Sequence, residues 1–209
     1  ALNSFYEIGF PQEKIVLVEA LRYLNILPDQ LTNKPINSPN VDSTKQFTEV
    51  LILGAMDPES MDYLIGILLD TLKSFSSDYK FSFRPHPGYD AKLYQYPELK
   101  FRTTSGSLDK ILSKYDVIIA ASNTSAAADA YVAGSKVIIM LDGSSLNLSP
   151  LRSYTDVFFA KSSDELKEAL EINNRQPLKG EKIESYRNTY FHLNYKLTNW
   201  LKLFGINSS

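Results

Sequence analysis

The chain of 209 residues contains no cysteine. That absence removes disulfides, thiolate metal sites and cysteine nucleophiles together, and leaves the fold to rest on packing. An excess of one charge is missing too. Lys and Arg number 22 against 24 Asp and Glu, scattered rather than clustered, so nothing marks a nucleic acid or an anionic membrane as partner. Long apolar runs are absent: stretches such as residues 64–69 and 117–121 fall far short of the roughly 20 residues of a membrane helix. Gly and Pro are sparse, at 9 and 10, while 44% of residues are hydrophobic, which excludes fibrous and disordered chains and leaves a packed globular protein.

The chain opens on Ala1 with no initiator Met, no basic region and no long apolar segment. It reads as a piece cut from something longer. Residues 10–27 combine a strand or helix start with a short amphipathic helix around 19–24, in which Glu19 and Arg22 are spaced for an ion pair. Residues 28–46 hold three prolines and little apolar periodicity, the texture of a linker. Residues 1–46 therefore read as an arm and linker.

From residue 47 the texture changes. Short apolar runs at 49–53, 79–83, 99–103, 116–121, 136–141 and 156–160 alternate with helical segments. Asp57 and Pro58 supply an N-cap and a first helical residue, Gly134 a helix stop, and Ser162 with Glu165 a capping box. Strands that are apolar throughout and alternate with helices belong to a parallel sheet covered on both faces. The expected fold is a doubly wound α/β domain over residues 47–174. Residues 175–209 carry Tyr, Phe, Leu and Trp200 at roughly helical spacing, as a terminal helix packing back on the domain or a partner would.

Ligands of open parallel sheets bind at the carboxyl ends of the strands. Four such loops stand out: Gly54 with Ala55 and Met56; Arg84-Pro85-His86-Pro87-Gly88; Ser122-Asn123-Thr124-Ser125; and Asp142-Gly143-Ser144-Ser145. The hydroxyl-rich loop opens a helix, where backbone N–H groups suit a phosphate; the plain alternative is that Ser122 or Asn123 caps that helix. Arg84 and His86 are presented on a segment that two prolines stiffen, and His86 is placed to donate to a phosphate or act as an acid. Asp129, one turn beyond Ser125, is within reach of a ribose hydroxyl, with a solvent-facing carboxylate slightly preferred, and Asp142 caps a turn or touches ligand. Ser144, Ser145 and Ser149 read as turn residues, and His192 as packing or surface.

Other signatures are missing. There is no G-x-G-x-x-G and no Walker lysine loop, no Asp-x-Asp pair, and no G-x-S-x-G elbow for a hydrolase. With two histidines far apart, a zinc site is not expected, and neither a metal nor another cofactor is implied.

The tract FRPHP at 83–87, the segment LDKILSKYDVIIAASNTSAAADAYVAGSKVI at 108–138 and the late SSDELKEAL helix resemble the C-terminal, donor-binding domain of GT-B-fold glycosyltransferases of bacterial surface-polysaccharide synthesis. The likeness covers roughly residues 50–170, and the opening GFPQEKIVLVEALRY resembles the approach to that domain. In sialyltransferase-like and Kdo-transferase-like members, a His-Pro motif and a Ser/Thr motif address the phosphate of a CMP-sugar. The resemblance implies a Rossmann-like half, with His86 stabilising the leaving phosphate and Gly54, Arg84, Ser122, Asn123, Thr124 and Ser125 around the donor. It also implies a nucleotide-activated sugar as substrate and no metal. The glycan acceptor and the catalytic base belong to an N-terminal domain that this chain lacks. Poly(glycerol phosphate) transferases, which use CDP-glycerol, share these motifs, and a non-catalytic α/β binding module is the third reading. The missing signal and spanning segments point to the cytoplasm or the inner face of the membrane.

Overall fold

The computed structural model of the chain describes residues 2–24, 47–73, 78–89, 96–143, 146–175, 185, 194 and 196–206. The linker at 28–46, Ser144, Ser145, His192 and most of the expected terminal helix lie outside them.

In chain order the elements are α1 (Leu2–Glu7), α2 (Leu21–Leu24), β1 (Thr48–Leu53), α3 (Pro58–Leu72), β2 (Tyr79–Arg84), β3 (Arg102–Thr103), α4 (Leu108–Ile111), β4 (Val117–Ala121), α5 (Ala126–Val132), β5 (Lys136–Met140), β6 (Phe158–Ala160), α6 (Ser163–Arg175) and α7 (Thr198–Leu203). The six strands form one sheet in the order β3-β2-β1-β4-β5-β6, with every neighbouring pair parallel. This is the doubly wound, Rossmann-like order, which leaves β1 outward on one side, returns, and leaves β4 on the other.

Alternation along the strands decides which helix covers which face. Val50, Ile52, Val117, Ile119, Ile138 and Met140 meet Met61, Leu64 and Leu68 of α3 and Leu166 and Leu170 of α6. Leu51, Leu53, Ile118, Ala120, Val137 and Ile139 meet Ala127, Ala130 and Tyr131 of α5. Burial of one such Leu or Ile is worth about 1.5–3 kcal/mol, and β4 and β5 are buried along their whole length. That is why they read as unbroken apolar runs.

The helix signals act locally as expected. The Asp57 carboxylate accepts the Ser60 N–H at 2.8 Å with Pro58 as first helical residue. Gly134, at φ 92°, ends α5 with Gly134 N–H on the Tyr131 carbonyl and Ser135 N–H on that of Ala130, the two bonds of a Schellman motif. Ser162 accepts the Glu165 N–H at 3.2 Å, and the Glu165 carboxylate reaches back to the Lys161 N–H at 2.7 Å. Some elements are shorter than expected, β6 at Phe158–Ala160 among them. The third strand is two residues at the sheet edge, and the helix after Ser107 tightens to a 3-10 turn at Leu112–Lys114. Among its described residues the arm carries α1, a 3-10 turn at Gln12–Lys14 and α2, which begins only at Leu21.

Candidate functional site

The sheet places three strand ends side by side at the point where strand order reverses. β1 runs into Gly54, β2 into Pro85-His86-Pro87, and β4 into the loop Ser122–Ser125 ahead of α5. Between them lies a crevice of about 230 Å³, lined by Gly54, Arg84, His86, Thr124, Ser125 and Asp129 together with Arg22 of the arm. Leu53, Pro85, Pro87, Leu108 and Ala126 complete its walls. Six of the nine residues nominated from the sequence thus share one cavity, although they span 76 positions of chain, from 54 to 129.

Gly54 is required by close approach of backbones. Its N–H donates to the Arg84 carbonyl at 2.9 Å, and a Cβ there would lie 3.1 Å from the His86 nitrogen and 3.1 Å from the Phe83 ring. Such contacts would wedge β1 away from the segment carrying His86. The imidazole is itself oriented: Nδ1 accepts the Gly88 N–H at 3.1 Å. In the neutral ring this leaves Nε2 as the N–H donor. Arg84 spends one nitrogen on the Gly106 carbonyl at 2.5 Å, which holds its guanidinium along the crevice wall.

The hydroxyl-rich loop differs from its sequence reading. N–H groups expected to be free at the helix start are bonded within the loop: Ala126 to Thr124 Oγ1 at 3.3 Å, and Thr124, Ala127 and Ala128 to the Ala121, Thr124 and Ser125 carbonyls. At seven residues α5 is also short. The loop therefore offers side chains more than amides. Neither Ser122 nor Asn123 caps α5. Ser122 is buried behind the crevice and gives its N–H to the Met140 carbonyl. Asn123 donates to Asp57 at 2.5 Å and lies 3.4 Å from the Ser60 hydroxyl, at the start of α3. Burial pushes the Asp57 carboxyl up, but its bonds from Ser60 and Asn123 outweigh this and hold it below the usual range. Asp142 follows β5, outside the crevice, on the side of Tyr63. Ser149 accepts the Leu151 N–H, as a turn residue does.

Two sequence expectations fail on the arm. Glu19 precedes α2 and does not share a helix with Arg22, so their spacing sets no ion pair. Its buried carboxylate accepts the N–H groups of Asn199 and Trp200 at 2.9 and 3.2 Å, and its carbonyl accepts the Trp200 indole N–H, which fastens α7 to the arm. Arg22 instead crosses to the crevice, bonding Asp129 Oδ2 at 2.6 Å and lying 3.4 Å from Ser125 Oγ. Asp129 does not face solvent: it is only 4% exposed. Burial raises its pKa, partly offset by the bond to Arg22 and the charge of that guanidinium. The same bond raises that of Arg22. Arg22 is the site residue that sequence reading missed. The signal was the one arginine of residues 1–46, beside exposed apolar residues such as Val16, Leu17 and Leu21.

A second, larger concavity of about 370 Å³ lies at the outer edge of the sheet, lined by Tyr79, Lys80, Phe81, Lys100, Phe101 and Arg102, among others. Lys80 sits 3.7 Å over the Phe47 ring there. Among the described residues no group of three or more His, Asp or Glu is placed to hold a metal, and no helix is long and apolar enough to cross a membrane.

The chain matches no protein-family model and no curated protein. Among solved structures it is similar to UDP-GlcNAc 2-epimerase of Methanocaldococcus jannaschii, solved with UDP-GlcNAc and UDP, at 14% identity and a TM-score of 0.51, over 90% of this chain and 57% of the epimerase. The glycotransferase of kitacinnamycin gives 13% identity and 0.49 over 69% of this chain and 39% of that one. The glycosyltransferase SnogD from Streptomyces nogalater gives 19% and 0.48 over 86% and 46%. The chain thus spans between about two fifths and three fifths of the length of these solved chains. The epimerase comparison agrees with the Rossmann-like fold.

Proposed function

We propose that the chain is the donor-binding half of a glycosyltransferase that uses a nucleotide-activated sugar, with a CMP-sugar as first choice, in synthesis of a bacterial surface polysaccharide. The observation that carries this reading is the convergence of Gly54, Arg84, His86, Thr124, Ser125 and Asp129 on one crevice at the switch point of a Rossmann-like sheet. At about 230 Å³ the crevice is smaller than the roughly 300–1,000 Å³ of a full ligand pocket. It suits phosphate and ribose, with the rest of the donor on its open side.

In the proposed reaction the bond from the sugar anomeric carbon to the phosphate oxygen breaks, and a bond from that carbon to an acceptor hydroxyl oxygen forms. The electron pair leaves with the phosphate, and the hydroxyl proton passes to a base on the acceptor-binding domain. His86 Nε2–H and the Arg84 guanidinium face the leaving phosphate and meet its growing charge without a protein-held metal. Asp129 addresses a ribose hydroxyl, and work at the inner face of the membrane fits the reading.

Thermal unfolding with CMP, CDP, UDP and GDP tests it. A nucleotide at 100 times its dissociation constant adds about 2.7 kcal/mol of stability, and His86→Ala should weaken that nucleotide about tenfold while leaving the unliganded midpoint in place. A preference for cytidine favours the CMP-sugar or CDP-alcohol readings, which CMP and CDP then separate. No shift with any nucleotide leaves a non-catalytic module.

A further inference from the structure

Arg22 stands outside the ligand set proposed above, yet its guanidinium lines the same crevice as Arg84 and His86. It is brought there from an arm more than 100 residues away in sequence. Both of its bonds, to Asp129 and Ser125, run through Nη2, and its side chain remains 57% exposed. A guanidinium carries five N–H donors in a planar fork and can hold two anions on different edges. The carboxylate it holds is buried: Asp129 Oδ2 takes the guanidinium and Oδ1 is closed off from solvent. The crevice therefore presents two guanidiniums and an imidazole N–H, beside a single buried carboxylate that Arg22 already holds. That cationic set complements a phosphate, and complements an uncharged nucleoside poorly.

We infer that Arg22 is itself a ligand residue: the arm completes the crevice, its guanidinium bridging Asp129 and a phosphate of the nucleotide, so the preference for phosphorylated over uncharged nucleosides is set in part from outside the nucleotide-binding fold. This rests on the nucleotide reading given above. The pair with Asp129 fixes the guanidinium before the ligand arrives, which lowers the ordering cost of the contact. Binding of phosphate and docking of the arm are consequently coupled.

Removing Arg22 alone strands a buried carboxylate, so the test uses a background that avoids this. The full chain, Asp129→Asn, Arg22→Gln and the double variant are titrated calorimetrically at fixed salt with CDP, UDP, cytidine and uridine, and their urea midpoints are measured alongside. The double variant compared with Asp129→Asn should lose about tenfold or more in diphosphate affinity, keep its nucleoside affinity within about twofold, and unfold at a similar midpoint. An unchanged ratio of diphosphate to nucleoside affinity on loss of Arg22 overturns the inference while leaving the nucleotide reading intact. If the unaltered chain takes up none of the four compounds, the nucleotide reading fails and the inference with it.

Discussion

Two concavities among the described residues differ in a way that size does not capture. The larger one, at the sheet edge, is lined by aromatic residues, by exposed Lys100 and Arg102, and by Lys80, which is half-buried over the Phe47 ring. The smaller one lies where three strands end together, and its polar groups are fixed by backbone or by burial: His86 by Gly88, Arg84 by Gly106, Arg22 by Asp129. An exposed cation on an edge strand, as Arg102 is on β3, is a common guard against edge-to-edge pairing, whereas oriented donors around a buried carboxylate need a ligand or a partner to justify their cost. A candidate site is better recognised by what holds its side chains than by its volume.

The largest effect is expected from Gly54→Val. Its side chain would press on the His86 backbone and the Phe83 ring, costing about 1–3 kcal/mol and removing nucleotide binding. Urea unfolding and titration read both, and a variant that binds normally would break the contrast between the cavities. Next comes Arg22→Ala, at roughly 1–2 kcal/mol near neutral pH, discounted because Arg22 is more than half exposed. Asp129 already has a raised pKa from burial, and loss of the cation raises it further. The folded variant then binds a proton more readily than the unfolded chain, so its stability falls as pH rises above the ordinary Asp range and recovers as pH is lowered towards it. Unfolding midpoints at pH 5 and 7.5 should show the gap to the unaltered chain narrowing at the lower pH; a constant gap would count against a buried, Arg-compensated carboxylate. The smallest effect belongs to the other cavity. Lys80→Ala with Lys100→Ala should stay within about 0.5 kcal/mol in stability and leave nucleotide affinity unchanged, and a loss of binding there would invert the comparison.

Much of the fold is legible because each of its signals is local. The runs at 117–121 and 136–140 are apolar because both faces of the sheet are covered, and Asp57-Pro58, Gly134 and Ser162 with Glu165 cap helices through bonds to near neighbours. The strand-end rule also gathered Gly54, Arg84, His86, Thr124 and Ser125, since it needs only strand positions. What escaped was long-range. Arg22 meets Asp129 across 107 residues and Glu19 meets Trp200 across 181, and no periodicity encodes such pairs. Asn123 escaped for a related reason: instead of accepting from N–H groups of its own helix, its side chain donates to Asp57 at the start of a different one.

The central claim is that nucleotide binds in the small crevice at the switch point. Backbone amide resonances followed by NMR during titration with CMP and CDP test it most directly. The account predicts that the amides of Gly54, His86, Ser125 and Ala126, with that of Arg22, shift together and saturably, while those of Lys80, Lys100 and Arg102 stay in place. Saturable shifts confined to the sheet edge, or none at millimolar nucleotide, would contradict it.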